Sequence, residues 1–387
     1  MTHAAEALLP CDNLPQGNDR LLPAYARADV TIVAGKGARV WDDQGREYLD
    51  FGAGIAVVGL GHRHPAPLAA AQAQLDRLWH ASNLYRTEPA EELAAKLSAR
   101  FGGAQAFFCN SGAEAVEATL KYARKATGKT GVVALEGGFH GRTLGALSVT
   151  GQPTKRDPFA PLVPGARFAP PNDVGALRDA VDDEVGLVLL EPILGEGGVV
   201  PLDVAFVAAA AELDALLCMD EIQVGLGRTG SFFAFEQLGV RPDLVTLAKS
   251  LANGLPIGAL LVGDSVAGGF APGDHGSTFG GNPVSCAAAA AVVDAVDDDL
   301  LANVRERGAE LAAGLGSLPG VLEVRGRGLL LGAVVEGSAA AVVESCRERG
   351  LLVLTAGEDV VRLAPPLTVD ARDVEHALAV LRGCIAC

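Results

Sequence analysis

The sequence has few cationic residues for its length. Its 387 residues include 31 Lys and Arg against 47 Asp and Glu, which gives a formal net charge of −16. An acidic surface repels polyanions, so neither nucleic acid nor an anionic membrane is expected as a partner. A small anionic ligand is still compatible with this charge, because one pocket can be positive on an acidic protein.

Long apolar runs are also missing. No stretch approaches the about 20 apolar residues that span a bilayer. The first ten residues, MTHAAEALLP, have neither the basic nor the apolar segment of a secretory signal peptide. These two deficits predict a cytoplasmic protein.

Cysteines are few and scattered. The seven of them, at positions 11, 109, 218, 286, 346, 384 and 387, are odd in number, which is typical of reduced thiols. Cys384 and Cys387 form a lone CxxC with no second pair. A frayed tail is therefore favoured there over a redox or metal site, and no metal site is predicted.

Apolar residues are abundant instead. They make up 49% of the chain and charged residues 20%, which is typical of a globular enzyme. Continuous apolar runs at residues 131–135, 185–190, 215–219, 244–247 and 257–262 are separated in several places by helical segments. Because such runs are buried on both faces, they predict an α/β fold with a mostly parallel, doubly wound sheet.

The length suggests roughly two domains. Residues 38–50 alternate around a polar turn, which is a hairpin signal. Shorter, alternating strands towards the C-terminus indicate a separate α+β domain. We expect residues 1–55 to contribute to the small domain, residues 56–285 to form the large domain with the sheet and the cofactor site, and residues 286–387 to form the C-terminal small domain.

Polar residues follow three of the predicted strands: Glu191, Asp220 and Lys249. The carboxyl ends of parallel strands meet at one crevice, where open α/β sheets bind their ligands. The apolar neighbours of Lys249 should push its amine towards the neutral form, which is nucleophilic and can form an imine with an aldehyde. The alternative is a lysine that only extends from a strand end to solvent.

A second feature predicts an anion site. After the strand-like residues 106–109, Ser111 and Glu114 have the spacing of a capping box at the start of a helix that stops at Gly128. The free N–H groups of Gly112 and Ala113 suit a phosphate, although an ordinary helix start has the same pattern. Three features together predict a pyridoxal phosphate site. They are a lysine that can form an imine, a helix N-terminus that can bind phosphate, and a carboxylate, Asp220, that can pair with a protonated ring nitrogen.

The glycine-rich stretch at residues 52–61 supports a different hypothesis, a dinucleotide loop in an NAD-linked oxidoreductase. The sequence His62-Arg-His-Pro65 interrupts the helix that such a loop would open, which disfavours it. A non-catalytic binding relative is a third possibility, which the presence of Lys249 and Asp220 disfavours.

Six motifs also resemble those of a known family, in the same order along the chain. They are NSGAEA (110–115), GFHGRT (138–143), EPILGEGG (191–198), DEIQVGLGRTG (220–230), Lys249 and HGSTFGGNP (275–283). These residues resemble the class III aminotransferases, and among them most closely the acetylornithine aminotransferases. The resemblance runs from about residue 23 to the end. It implies the fold type I of pyridoxal phosphate-dependent transferases and a homodimer with shared active sites.

The resemblance also implies roles for single residues. By similarity, Lys249 is the imine-forming lysine and proton shuttle, and Asp220 is the partner of the ring nitrogen. The other implied cofactor contacts are Ser111, Gly112, Ala113, Phe139, Gln223 and, towards the neighbouring subunit, Thr278. The implied substrate contacts are Arg142, Ser277 and the switch pair Glu196 and Arg362. Phe139 as plain core and Glu196–Arg362 as a static ion pair are the structural alternatives.

The implied reaction passes the δ-amino group of N-acetylornithine to 2-oxoglutarate, giving N-acetylglutamate 5-semialdehyde and glutamate. Ornithine, 4-aminobutyrate or a succinylated diamine are alternative donors. The position of Ile55 resembles one that holds a tyrosine in ornithine aminotransferases, where the tyrosine hydroxyl meets the free α-amino group of the substrate. Ile55 offers no such hydrogen bond. A donor substrate whose α-amine is acylated is therefore expected to be preferred. Leu194 stands where many relatives have glutamine, and nothing is predicted from that difference.

Overall fold

The computed structural model describes residues 20–385. In that part the strands are, in chain order, β1 (Ile32–Lys36), β2 (Arg39–Asp42), β3 (Glu47–Asp50), β4 (Ala104–Cys109), β5 (Gly131–Leu135), β6 (Ala166–Ala169), β7 (Val185–Leu190), β8 (Ile193–Leu194), β9 (Val200–Pro201), β10 (Leu216–Asp220), β11 (Leu244–Leu247), β12 (Gly258–Gly263), β13 (Val321–Arg327), β14 (Leu330–Val335), β15 (Leu351–Leu352), β16 (Leu354–Thr355) and β17 (Val360–Leu363).

The helices come between and after these strands. They are α1 (Ala53–Ala56), α2 (Pro65–Leu75), α3 (Glu88–Phe101), α4 (Gly112–Thr127), α5 (Leu144–Ser148), α6 (Pro153–Arg156), α7 (Val174–Ala180), α8 (Val204–Ala211), α9 (Pro283–Ala295), α10 (Asp298–Gly316), α11 (Ala339–Glu348) and α12 (Ala371–Ile385). Short 3-10 turns occur at Asp157–Phe159, Ala234–Leu238, Lys249–Ala252 and Asp264–Val266.

A seven-stranded sheet in the order β4-β12-β11-β10-β7-β5-β6 carries the site. All neighbouring strands are parallel except β12, which runs antiparallel to β11 and β4. The sequence-based prediction of a mostly parallel α/β sheet is confirmed. Strand β7 illustrates why its run is apolar throughout, since Leu187 and Leu189 join the core under α4 while Val188 and Leu190 join the core on the opposite face.

Two four-stranded sheets are separate from the seven-stranded sheet. One has the order β1-β2-β3-β15 and the other β13-β14-β17-β16. Strand β15 pairs in parallel with β3, with Leu351 opposite Leu49, so residues from both ends of the described chain share one sheet. Their apolar side chains form a core of their own with α10, α11 and α12. Helix α9 packs in the core of the large sheet. The boundaries at residues 55 and 285 stay a prediction.

Segment α1 is not a right-handed helix. Its residues Ala53, Gly54, Ile55 and Ala56 all have positive φ, between 48° and 65°, so it is a single left-handed turn. A β-branched residue in this conformation is strained, and such strain persists only where the surroundings impose it. The next helix begins at Pro65, so the glycine-rich stretch 52–61 does not open a helix as a dinucleotide loop does.

Two findings bear on surroundings and redox state. No helix within residues 20–385 is long and apolar enough to cross a membrane. The five cysteines in this range, Cys109, Cys218, Cys286, Cys346 and Cys384, are buried free thiols. Residues 1–19, Cys387 and the rest of the C-terminal CxxC motif beyond residue 385 lie outside the described residues.

Candidate active site

Three neighbouring parallel strands end at one cavity. Strand β10 lies between β7 and β11, and their carboxyl ends carry Asp220, Glu191 and Lys249. All three residues line a cavity of about 410 Å3, as do the start of α4 and the Phe139 loop. The sheet therefore brings together the polar strand ends at its carboxyl edge, as the sequence predicts.

Lys249 follows β11 at the first position of a 3-10 turn. Its backbone is left-handed, with φ 43°. Burial, and then the charge of Arg362, lowers the pKa of Lys249 from 10.5 to about 8, although Glu196, Glu191 and Asp220 oppose the shift. A larger share of the amine is thus neutral near physiological pH than in an exposed lysine.

The start of α4 supplies backbone donors to the same cavity. Ser111 caps the helix, since its Oγ accepts from the Glu114 N–H at 3.3 Å. Glu114 accepts instead from the N–H of Asn110, at 2.8 Å, so the second half of the capping box is displaced by one residue. The first N–H groups of a helix have no intrahelical acceptor, and Gly112 and Ala113 line the cavity. A Cβ at Gly112 would lie 2.8 Å from Ile222 Cδ1, so a larger residue there would require the Ile222 side chain to shift.

Asp220 is held by three donors. His140 Nδ1 lies 2.7 Å from Asp220 Oδ2, and Thr246 Oγ1 and the Ile222 N–H donate to Oδ1. Burial disfavours a charged imidazole, but the hydrogen bond to Asp220 together with the negative charges of Asp220 and Glu191 outweighs it, and the pKa of His140 is raised. His140 thus orients the Asp220 carboxylate.

The sequence predicts Glu191 at a strand end facing the crevice, without a cofactor or substrate contact. Its carboxylate accepts from the Phe139 N–H at 2.7 Å and from the Gly195 N–H at 3.2 Å. Burial raises the pKa of Glu191 to about 7, against the charge of His140. Glu191 thus ties the loop of Phe139 to the loop that carries Glu196.

The predicted switch residues form an ion pair. Arg362, on β17, donates from Nη1 to Glu196 Oε1 at 2.7 Å, to the Gly195 carbonyl at 2.9 Å and to Gln223 Oε1 at 3.2 Å. Burial works against the ionised form of Glu196, but the charges of Arg362 and Lys155 lower its pKa overall. The Arg362 Nε is buried without a hydrogen-bond partner within residues 20–385.

Phe139 and Arg142 lie at the cavity wall. The Arg142 guanidinium carbon is 5.6 Å from the centre of the Phe139 ring, and the Lys155 Nζ is 4.9 Å from it. Arg142 is exposed and forms no salt bridge with any of residues 20–385. It is thus placed to accept an anionic group from outside the chain.

Two predicted residues lie apart from this cavity. Ser277 and Thr278 line a separate space of about 780 Å3 next to Asn83 and Phe108. Ser277 still contacts the edge of the site, because Asn110 Nδ2 donates to its Oγ at 3.2 Å. Thr278 is exposed, and within one chain it is not brought to the cavity.

These features suit one cofactor. An amine, a carboxylate fixed by its neighbours and a helix N-terminus surround a cavity large enough for a substituted pyridine ring. Their chemistry matches the aldehyde, the ring nitrogen and the phosphate of pyridoxal phosphate. The fold and site define a pyridoxal phosphate-dependent enzyme of fold type I.

Comparisons give the family. The chain belongs to the class-III aminotransferases, whose family profile matches residues 23–385. An acetylornithine aminotransferase of Gloeobacter violaceus is 48% identical over 95% of this chain and 96% of its own length. One from Mycolicibacterium smegmatis is 50% identical over 92% of this chain and 94% of its own.

Solved structures agree in fold. An ornithine aminotransferase from Toxoplasma gondii, with pyridoxal phosphate at partial occupancy, superposes with a TM-score of 0.91 at 34% identity, covering 95% of this chain and 92% of that one. The N-acetylornithine aminotransferase of Stenotrophomonas maltophilia has a TM-score of 0.83 at 39% identity, covering 94% and 97%. The protein is an aminotransferase that uses pyridoxal phosphate.

Proposed function

We propose that this enzyme transfers the δ-amino group of N-acetylornithine to 2-oxoglutarate, a step of arginine biosynthesis, as a cytoplasmic homodimer. The products are N-acetylglutamate 5-semialdehyde and glutamate. The observation that carries the proposal is the buried Arg362 neutralised by Glu196 beside Lys249, with Arg142, which has no salt bridge among residues 20–385, at the cavity wall. The names of the relatives at 43–50% identity support the same substrate.

The residues around the cofactor have separate roles. Bound pyridoxal phosphate supplies a ring that withdraws electrons and carries the amino group between the two half-reactions. Lys249 Nζ moves the proton at the substrate carbon that bears the nitrogen. Asp220, fixed by His140, holds the proton on the ring nitrogen. The amides of Gly112 and Ala113 bind the phosphate.

The remaining cofactor contacts hold the ring. Phe139 would stack on it, with Ser111 placed at the phosphate end. Gln223 Oε1 already accepts from Arg362, so its Nε2 is the group we assign to the ring hydroxyl. These contacts fix the face of the ring on which Lys249 acts.

Arg362 and Arg142 distinguish the amine donor from the acceptor by the carboxylates that they bind. The donor has no carboxylate beside its reacting amine, so Glu196 stays on Arg362 while Arg142 binds the distant α-carboxylate. The acceptor has such a carboxylate, and an arginine binds one bidentately. The α-carboxylate of 2-oxoglutarate therefore displaces Glu196 from Arg362, and its γ-carboxylate takes Arg142.

Large apolar side chains support the dimer. Trp79, Leu84, Tyr85 and Phe279 are strongly exposed in the single chain, near the segment that holds Ser277 and Thr278. Exposed aromatic patches of this kind mark protein interfaces. In the dimer, Thr278 would reach the phosphate of the neighbouring subunit, and Ser277 the substrate, so that each site is completed by its partner.

The proposed preference for an acylated donor depends on Ile55. Ile55 is half-exposed on the left-handed turn, two residues before the cavity-lining Val57, and its side chain offers no hydrogen bond to an α-ammonium group. An ammonium group that is buried on binding and left without a hydrogen-bond partner costs on the order of 1–3 kcal/mol. We expect kcat/KM for N-acetylornithine to exceed that for ornithine by roughly 5- to 160-fold, which is the rate equivalent of that cost.

The experiment is a donor panel with 2-oxoglutarate on the purified holoenzyme. It compares N-acetylornithine, ornithine, 4-aminobutyrate and a succinylated diamine, with Lys249→Ala as the inactive control. Equal or higher efficiency with ornithine or 4-aminobutyrate would overturn the assignment of the donor. Equal efficiency with the succinylated diamine would widen it to acylated diamines as a class.

A further inference from the structure

Glu196 lies between two cations. Its Oε1 is 2.7 Å from Arg362 Nη1, and its Oε2 is 3.7 Å from Lys155 Nζ. The Arg362 side chain is only 4% exposed, whereas those of Glu196 and Lys155 are 24% and 25% exposed. Arg362 is therefore the inner partner of this carboxylate and Lys155, from the short helix α6, is the outer one.

Lys155 is confined to this place by its other contacts. Its Nζ lies over the ring of Phe139, 4.9 Å from the centre. Burial lowers the pKa of Lys155, the Glu196 carboxylate opposes that shift, and Arg142 and Arg362 add to it. A cation that is partly desolvated near two arginines is stabilised by an anion close by. Glu196 is that anion.

A displaced carboxylate needs a new partner. When a substrate carboxylate takes Arg362, Glu196 must give up a hydrogen bond to a charged group, which is costly in a partly buried site. Lys155 is already within ion-pair distance, so a small rotation of Glu196 can replace one cation with the other.

We propose that Lys155 is a positioning residue that receives Glu196 when 2-oxoglutarate or glutamate occupies Arg362. This rests on the proposed switch of Glu196, but not on the identity of the amine donor. Lys155 stabilises the form of the site that binds a carboxylate beside the reacting carbon. Its contact with Glu196 is longer, at 3.7 Å, while Glu196 is on Arg362, so Lys155 contributes less to that form.

The alternative role of Lys155, holding Glu196 against Arg362, predicts the opposite change in glutamate affinity when Lys155 is removed. If Lys155 only helped to hold Glu196 against Arg362, its removal would free Arg362 and strengthen glutamate binding. If Lys155 receives the displaced Glu196, its removal weakens glutamate binding. The two half-reactions, measured on the same preparation, separate these roles from a general loss of structure.

The test is Lys155→Met in the holoenzyme, with single-turnover kinetics against glutamate and against N-acetylornithine. We expect the apparent Kd for glutamate to rise roughly three- to tenfold, the range of a partly buried ion pair. The limiting rate with glutamate should change less than twofold, as should both constants for the amine donor. Lys155→Arg should restore most of the glutamate affinity.

Two further variants complete the design. Lys129→Met is the matched control, since Lys129 pairs with Asp214 at 3.0 Å and is 26% exposed away from the cavity. It should leave both half-reactions unchanged. In a Glu196→Ala background, Lys155→Met should no longer affect glutamate binding, because no carboxylate remains to be received.

Three results would overturn the proposal. They are tighter glutamate binding in Lys155→Met, equal losses in both half-reactions, and an unchanged effect in the Glu196→Ala background. Failure of the donor assignment is a separate result. It would appear in the wild-type donor panel, while the glutamate half-reaction would still report on Lys155.

Discussion

Uptake of the cofactor by the stripped enzyme should depend on pH through Lys249. Only a neutral amine attacks an aldehyde carbon. Burial and the charge of Arg362 lower the pKa of Lys249 from 10.5 to about 8. At pH 7 such an amine is about one-tenth neutral, against about 0.03% for an ordinary lysine. The neutral fraction grows as pH rises, so covalent capture of pyridoxal phosphate should accelerate from pH 6 and level off above about pH 8.

The assay follows the absorbance of added pyridoxal phosphate by stopped flow between pH 6 and 10. Its reference is the same reaction with Nα-acetyl-lysine, which corrects for titration of the cofactor itself. Arg362→Met removes a neighbouring cation and should move the midpoint to higher pH. Glu196→Gln removes a neighbouring anion and should move it to lower pH. A wild-type midpoint equal to that of Nα-acetyl-lysine, or a flat profile, would refute the reasoning.

Three other predictions concern single substitutions. Lys249→Ala should abolish transamination and the borohydride-reducible link to the cofactor, and near-normal turnover with a reducible adduct would show that the assignment is wrong. Glu196→Ala should leave Arg362 free, strengthen binding of glutamate or 2-oxoglutarate and weaken selectivity for the δ-amine donor. Single-turnover rates check this, and equal losses in both half-reactions would argue for a static ion pair. Leu190→Ala empties a fully buried position at the end of β7 and should lower the free energy of unfolding by about 2–5 kcal/mol. Urea titration measures it, and a loss below about 1 kcal/mol would mean that the core closes around the space.

The central strands could be located from the sequence almost to the residue. The runs at 131–135, 185–190 and 244–247 coincide with β5, β7 and β11, because a strand covered on both faces stays apolar until the chain leaves the interior. Strand β4 begins earlier than its apolar run. Gln105 belongs to it because it pairs with Val262 of β12, and backbone pairing does not depend on the polarity of the side chain.

The site was predictable only in part. Strand ends and a helix start are local signals, and they identified Lys249, Asp220 and Gly112. The contact of His140 with Asp220 joins residues 80 positions apart, and that of Lys155 with Glu196 depends on how two loops pack. No periodicity encodes such contacts. The left-handed turn at Ile55 is also invisible in the sequence, since a β-branched residue disfavours it.

The pairing of β3 with β15 has a consequence for how the chain is made. Leu49 meets Leu351, so β3 waits for a partner about 300 residues downstream, roughly 15–60 s at usual rates of synthesis. During that time the β1–β2–β3 hairpins have an open edge, and Leu49 and Phe51 lack the core that buries them in the finished protein. This edge and these side chains are therefore covered only after the C-terminal strands have been translated.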